Sequence, residues 1–319
     1  MTINTLIKKH SDKADLHITR VMGAFVVISE GRIIEIDRTS ALQYCPLQNL
    51  LSGKSIEKYV QEKIVKFGHF TAERKIMRSS IGVPFGTSEM FMYALRKNVL
   101  DCAVIVCDGA GTVITSDPEI VQGIGARMNG LFHTTPIPRI QNSLRNKRCI
   151  LFDNAVIDQC RGLNVAIDHG YSKIGMTING CHGENPRNIR QTEKAASVKV
   201  SVATVCTTGI DKEGANNIVK QTDMAWSCAS KHMRDTGWKA LLQVTLGIPV
   251  FVYTAKGLEI LASYSDKAGA KILTNLNLQK QYLLSSVPGK RKVQLGKKCL
   301  YLSEAVLPIR GKHEPFPLT

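Results

Sequence analysis

The 319-residue chain carries 42 Lys and Arg against 26 Asp and Glu, with 44% hydrophobic and 21% charged residues, the balance of a globular protein able to bury a large core. No apolar run reaches the roughly 18 residues that span a bilayer, and MTINTLIKKHSDKADLH lacks a signal-peptide core, so no membrane segment and a cytoplasmic location are expected. A net charge of +16 would draw an anionic small molecule or an acidic protein, while 6% aromatic content and the absence of a recognisable reader motif weigh against nucleic acid.

The first 100 residues read as a hairpin and helical region. Residues 24–37, AFVVISEGRIIEID, are two β-branched runs around Glu30-Gly31, the signal of a hairpin. LQYCPL turns the chain around Cys45-Pro46. In SIEKYVQEKIVKFG, Ile56, Val60 and Ile64 recur at four-residue spacing, with Ser55 to cap the helix and Gly68 to end it. A second helix, TSEMFMYALRKN, precedes the strand CAVIVC.

The stretch VIVCDGAGTVITSDPEIVQGIGARMNG has phosphate-loop look-alikes, but each is incomplete. GAGTVI and GIGARM place Ile114 and Met128 where a dinucleotide fingerprint needs its third glycine, and Leu131 stands where a Walker loop needs lysine. A helix suits it better: Asp117 caps, Pro118 takes the first turn, and Ile120, Ile124, Met128 and Leu131 form one apolar stripe. Gly123 and Gly125 inside that helix imply close packing of another backbone or of a ligand. Arg127, off the stripe, could meet an anion.

From residue 149, apolar runs (CILFD, KIGMTI, VKVSVATVC, DMAWSC, IPVFVYT) alternate with helix-length segments, including ASKHMRDTGWKALLQ. This alternation predicts an α/β fold with a mostly parallel sheet and flanking helices over residues 101–270. Residues 271–319 hold nine basic against two acidic residues and read as a basic C-terminal extension.

Ligands in such sheets sit beyond the carboxyl ends of the strands. Cys107, Cys181, Cys206 and Cys228 all fall there and can converge to hold a zinc ion or an iron-sulfur cluster, or to supply a nucleophile. Cys102 and Cys107, five apart in a strand of period two, face opposite sides and cannot share a metal. The nine cysteines include no C-x-x-C, and their odd number fits a disulfide framework poorly. A helix starting after Ser227 would align Cys228, Lys231, His232 and Asp235 on one face, with Cys228 in the first turn where the helix dipole favours a thiolate. The turn Thr207-Thr208-Gly209 follows a strand and offers hydroxyls and amides to a carboxylate or phosphate. The expected chemistry therefore rests on Cys107, Asp108, Cys228 and Lys231 as catalytic groups. Gly109, Gly111, Gly123, Gly125, Arg127, Thr207, Thr208 and Gly209 would surround an anion.

GAFVVISEGRIIEI, YCPL, VIVCDGAGTVITSDPEIVQGIGARMNGL, HTTPIP, TTGID and CASKHMRDTGWKALLQ together resemble methanogenesis marker protein 8, an archaeal family, over about residues 17 to 265. The resemblance implies a cytoplasmic protein linked to methyl-coenzyme M metabolism, with methyl-coenzyme M reductase or its maturation machinery as partner. Its motif positions here are Cys45, Cys107, Asp108, Gly109, Gly111, Gly123, Gly125, Arg127, Thr207, Thr208, Gly209, Cys228 and Lys231. Among these positions, Cys45, Cys107 and Cys228 are the candidate metal ligands. The basic tail lies outside the resemblance.

Overall fold

Two sheets, wrapped by helices, make up the computed structural model, which describes residues 2–46, 55–181 and 185–319. Leu47 of the YCPL motif lies outside the described residues.

After a short helix α1 (Ile3–Lys9), strands β1 (Leu16–Val21), β2 (Ala24–Ser29) and β3 (Arg32–Asp37) form an antiparallel meander. The hairpin expected over residues 24–37 is β2–β3, turned by Glu30 and Gly31 in the left-handed region. Helix α2 (Ile56–Phe67) is capped by the Ser55 hydroxyl and ended by left-handed Gly68, as its sequence signals. Helix α3 (Thr87–Arg96) leads into β4 (Cys102–Cys107), which turns through Asp108-Gly109-Ala110 into β5 (Gly111–Thr115).

Helix α4 (Pro118–Gly125) starts as expected, with Asp117 accepting from the Glu119 and Ile120 amides. It ends earlier than the apolar spacing suggested. Ala126 is extended and Arg127 left-handed, so Met128 leaves the helix and Leu131 joins β6 (Gly130–Thr134). The pairing of β6 with β1 explains the change, because it completes a four-stranded sheet of order β3-β2-β1-β6. A long-range ladder has overridden a local helical pattern.

Helix α5 (Pro138–Asn146) and the two-residue β7 (Ile150–Leu151) follow. Then β8 (Lys173–Asn179), β9 (Lys199–Val205) and β10 (Met224–Trp226) alternate with α6 (Gln159–Asp168), α7 (Pro186–Ala196) and α8 (Lys212–Gln221). ASKHMRDTGWKALLQ is helical only over α9 (Lys231–Asp235) and a 3-10 turn at Gly237–Lys239; its end is strand β11 (Leu242–Val244). Strand β12 (Val250–Val252), helices α10 (Ala255–Ser263) and α11 (Lys267–Thr274), and strands β13 (Tyr282–Ser285), β14 (Arg291–Leu295) and β15 (Lys298–Glu304) complete the chain.

The large sheet has eleven strands in the order β14-β15-β13-β11-β12-β10-β9-β8-β4-β5-β7. The expected mostly parallel sheet is corrected to a mixed one. Its centre, β4-β8-β9-β10, is parallel, and β11 is parallel to β13, but the other neighbours are antiparallel. Tight turns such as Cys107–Gly111 permit only antiparallel partners, whereas helical crossovers such as α7 and α8 give parallel ones. Residues from 271 onward, expected as an extension, supply β13, β14 and β15 to this sheet.

The central strands are buried on both faces. Cys102 and Val104 pack with Leu163 and Ala166 of α6 and Ile189 of α7; Ala103, Ile105 and Cys107 pack with Phe91 of α3, Ile124 of α4 and Leu261 of α10. This is the strand alternation that separates Cys102 from Cys107.

Candidate site at the carboxyl edge of the parallel strands

The parallel registers bring the carboxyl ends of β4, β8, β9 and β10 to one edge. The small sheet and α2 lie over that edge. Arg20 of β1 donates to the Thr208 carbonyl at 2.5 Å, and Thr134 of β6 accepts from the Gly109 amide at 2.8 Å. Val106 of β4 packs among Ile56, Tyr59 and Val60 of α2. Between these covers lies a buried layer of polar side chains.

Asp108, just past β4, is fully buried. Burial alone would push its carboxyl up, but the Arg74 guanidinium, with the Arg74 and Phe70 hydrogen bonds, holds it well below the usual carboxylate range. Arg74 Nε donates to Oδ1 at 2.8 Å, and the Phe70 amide donates to Oδ2 at 2.6 Å. Arg74 also donates to the Ile124 and Lys75 carbonyls, so the pair fastens the segment after α2 onto α4.

Lys63 enters the same layer from α2. Its ammonium donates to Asn129 Oδ1 and lies 4.7 Å from the centre of the Tyr59 ring. Burial, with the charges of Arg74 and Arg127, lowers its pKa from 10.5 to about 7. Arg127 stacks over Phe67 at 5.3 Å, and its buried Nε has no hydrogen-bond partner among the described residues. His69 is also buried, with neither ring nitrogen hydrogen-bonded to a described residue; Nδ1 stands 3.8 Å from Asp108, and burial lowers the ring's pKa well below its ordinary value.

Three of the four strand-end thiols lie near one another and one stands apart. Cys206 neighbours Cys181, Cys228 and Arg20, whereas the Cys107 thiol donates to the Asp108 carbonyl at 3.3 Å and packs on the α4 side. A side chain at Gly130 would stand 2.3 Å from the Cys206 sulfur, so that glycine makes room for the thiol. Burial raises the thiol pKa of Cys206 and Cys107, and takes that of Cys181 to about 11. Cys181 donates to the Thr208 carbonyl at 2.9 Å. Cys206 and Cys228 both take left-handed backbone, which favours glycine.

Cys45 packs with Leu42 and Ala229, beside Cys228 but apart from Cys107. The expected set Cys45, Cys107 and Cys228 is therefore not brought together. Among the described residues, no group of three or more His, Cys, Asp and Glu side chains is arranged to hold a metal ion.

Cys228 also precedes α9, whose cap is Ser230, so the thiol does not sit in a first helical turn; Lys231 and Asp235 point to solvent. Thr207 donates to the Trp226 carbonyl, and Thr208 Oγ1 accepts from the Ala229 amide, so both hydroxyls are engaged within the protein. Gly209 packs under Arg20.

The glycines of the stretch VIVCDGAGTVITSDPEIVQGIGARMNG meet protein atoms. A Cβ at Gly109 would lie 2.9 Å from Ile137 Cβ, at Gly111 2.2 Å from the Ala155 carbonyl oxygen, at Gly123 2.2 Å from the Ile76 carbonyl oxygen, and at Gly125 2.5 Å from Ser88 Cβ. Close packing accounts for all four.

Sequence reasoning missed Lys63, His69, Arg74 and Arg20. For Lys63 a signal existed: the buried face of α2 is Ile56, Tyr59, Val60 and Lys63, a helical stripe whose last member is a lysine.

Residues 17–265 match a family described as an uncharacterized protein conserved in archaea (DUF2099). A protein of Methanocaldococcus jannaschii, named Uncharacterized protein MJ0054, is 35% identical over 274 residues, covering 83% of this chain and 95% of that relative. With a family match over most of its length and a relative this similar, the chain belongs to this conserved archaeal family.

Proposed function

We propose that this protein holds an anionic small molecule in the polar layer at the carboxyl edge of the parallel strands. The observation that carries the reading is a charge imbalance inside a buried layer. Arg74 and Arg127 both act on Lys63 there, and Asp108, the carboxylate acting on Lys63 among the described residues, is already held by Arg74. The buried Arg127 Nε with no partner among the described residues points the same way, because an unfilled donor in low dielectric is costly until an acceptor arrives. The likeness to methanogenesis marker protein 8 supports placing this binding in methyl-coenzyme M metabolism, as a maturation or cofactor-related factor in the cytoplasm.

Thermal unfolding with added phosphate, sulfate or a short sulfonate tests the reading. A ligand at about 100 times its Kd adds about 2.7 kcal/mol of stability. The wild type is expected to gain melting temperature with one of these anions, and Arg127→Gln is expected to lose most of the gain. No stabilisation of the wild type by any of them removes the proposal.

A second reading rests on a different observation. Lys290, Arg291, Lys292, Lys297 and Lys298 are exposed around the β14–β15 hairpin and form no ion pair with a described residue. This surface suits an acidic protein, and methyl-coenzyme M reductase is the partner the family likeness suggests. Association should then weaken steeply with salt and be lost when the five residues become glutamine.

A further inference from the structure

A buried lysine usually sends its ammonium along an apolar stem to water or pairs it with a carboxylate. Lys63 does neither. The residue is 4% exposed, and among the described residues its three donor hydrogens meet one acceptor, Asn129 Oδ1. Asp108 is engaged by Arg74 and the Phe70 amide. The Tyr59 ring forms an apolar wall 4.7 Å from the nitrogen. Two other polar side chains of the layer have unfilled capacity: Arg127 at Nε, and His69, fully buried, at both ring nitrogens. A desolvated amine among cations is the environment in which lysine acts as a nucleophile toward carbonyl carbon.

We propose that Lys63 is an imine-forming amine and that the ligand of this layer is a 2-oxo acid, its carboxylate against Arg127 and its carbonyl carbon at Lys63 Nζ. The inference rests on the anion-binding reading above and names the class of anion. The lone pair on Nζ adds to the carbonyl carbon as the C=O π bond breaks, and one nitrogen proton passes to the oxygen, giving a carbinolamine. The hydroxyl then leaves as water, taking the second nitrogen proton, and the C=N bond forms. Amine and ketone give imine and water, with no oxidant or reductant. The partial neutrality of Lys63 near pH 7 supplies the lone pair.

The test uses the full wild-type chain with pyruvate as probe and cyanoborohydride to trap the imine, read by peptide mass spectrometry. Lys63 is expected to be labelled on the order of 100-fold faster at pH 7 than Lys280, whose proton is held more tightly by Glu304. The comparison lies within one chain, so it does not depend on a variant folding. Arg127→Gln should slow labelling by pyruvate about tenfold more than labelling by uncharged acetaldehyde, which reports the change in the amine's own reactivity once the neighbouring charge is gone. Labelling of Lys63 no faster than Lys280 overturns the inference. If pyruvate raises the melting temperature yet leaves no adduct on Lys63, the anion-binding reading stands and the imine falls. If acetaldehyde labels Lys63 while neither pyruvate nor phosphate shifts melting, the 2-oxo acid class falls together with the anion-binding reading.

Discussion

Lys63 ties stability to pH in a direction opposite to that of a lysine paired with a carboxylate. Its folded pKa, about 7, lies below the 10.5 of the unfolded chain, so the unfolded state binds more protons between those values. Stability should therefore rise as pH increases from 7 toward 10, and the burial penalty is complete below 7. Lys63→Met, which keeps the stem and removes the charge, is expected to flatten that rise and to stabilise the protein at pH 7 by a few kcal/mol at most. Urea unfolding at pH 7 and pH 9.5 measures both; equal slopes in the two proteins would refute the account. Asp108 has the same sign in the acid range. Its folded pKa is depressed, so its contribution is full above the unfolded value of about 3.9 and fades as pH falls through the folded value. Asp108→Asn strands the Arg74 charge and should cost about 3–5 kcal/mol at pH 7. Of this pair the sequence showed only Asp108, as a strand-end residue; Arg74 comes from a segment without periodicity, 34 residues earlier.

Helix α4 shows how local rules and packing can disagree in sign at one position. Propensity says that Gly123→Ala in a helix interior gains about 1 kcal/mol. Geometry says otherwise, because the new Cβ would stand 2.2 Å from the Ile76 carbonyl oxygen and 2.6 Å from the Met77 nitrogen, backbone atoms that cannot rotate away. The net effect expected is destabilisation by about 1–3 kcal/mol, read from the denaturant midpoint at unchanged slope. A stabilised variant would mean that the segment around Ile76 shifts freely. The start of α4 was legible because Asp117 and Pro118 are local signals, and the glycines announced a close neighbour without naming it. Its end was not legible. Arg127 turns into the left-handed region and β6 pairs with β1, more than 100 residues earlier, and no spacing within GARMNGLFHTT reports that partner. The same holds for β11, whose residues read as a helix until β12 and β13 pair on either side of them.

At the scale of the whole molecule, charge and core disagree about residues 271–319. Their basic excess suggested an arm lying on a finished domain, and charge is what a single sequence shows most openly. The apolar alternation within them has little contrast, since Val293, Leu295, Leu300 and Leu302 are separated by polar or basic residues. Those four nevertheless belong to the main core with Tyr282 and Leu284, and β13 pairs along β11. Two variants separate the roles. Removing residues 271–319 exposes the β11 edge and strips these side chains from the core, so the shortened chain is expected to lose cooperative unfolding and to aggregate. Replacing Lys290, Arg291, Lys292, Lys297 and Lys298 by glutamine leaves the core intact and should move the melting temperature by only about 2–4 °C. A tail that serves only as a basic arm predicts the reverse for the deletion, which would then melt like the full chain. Calorimetry on the two variants decides whether the basic surface is an appendage or, as the sheet order argues, the outer face of strands on which the fold depends.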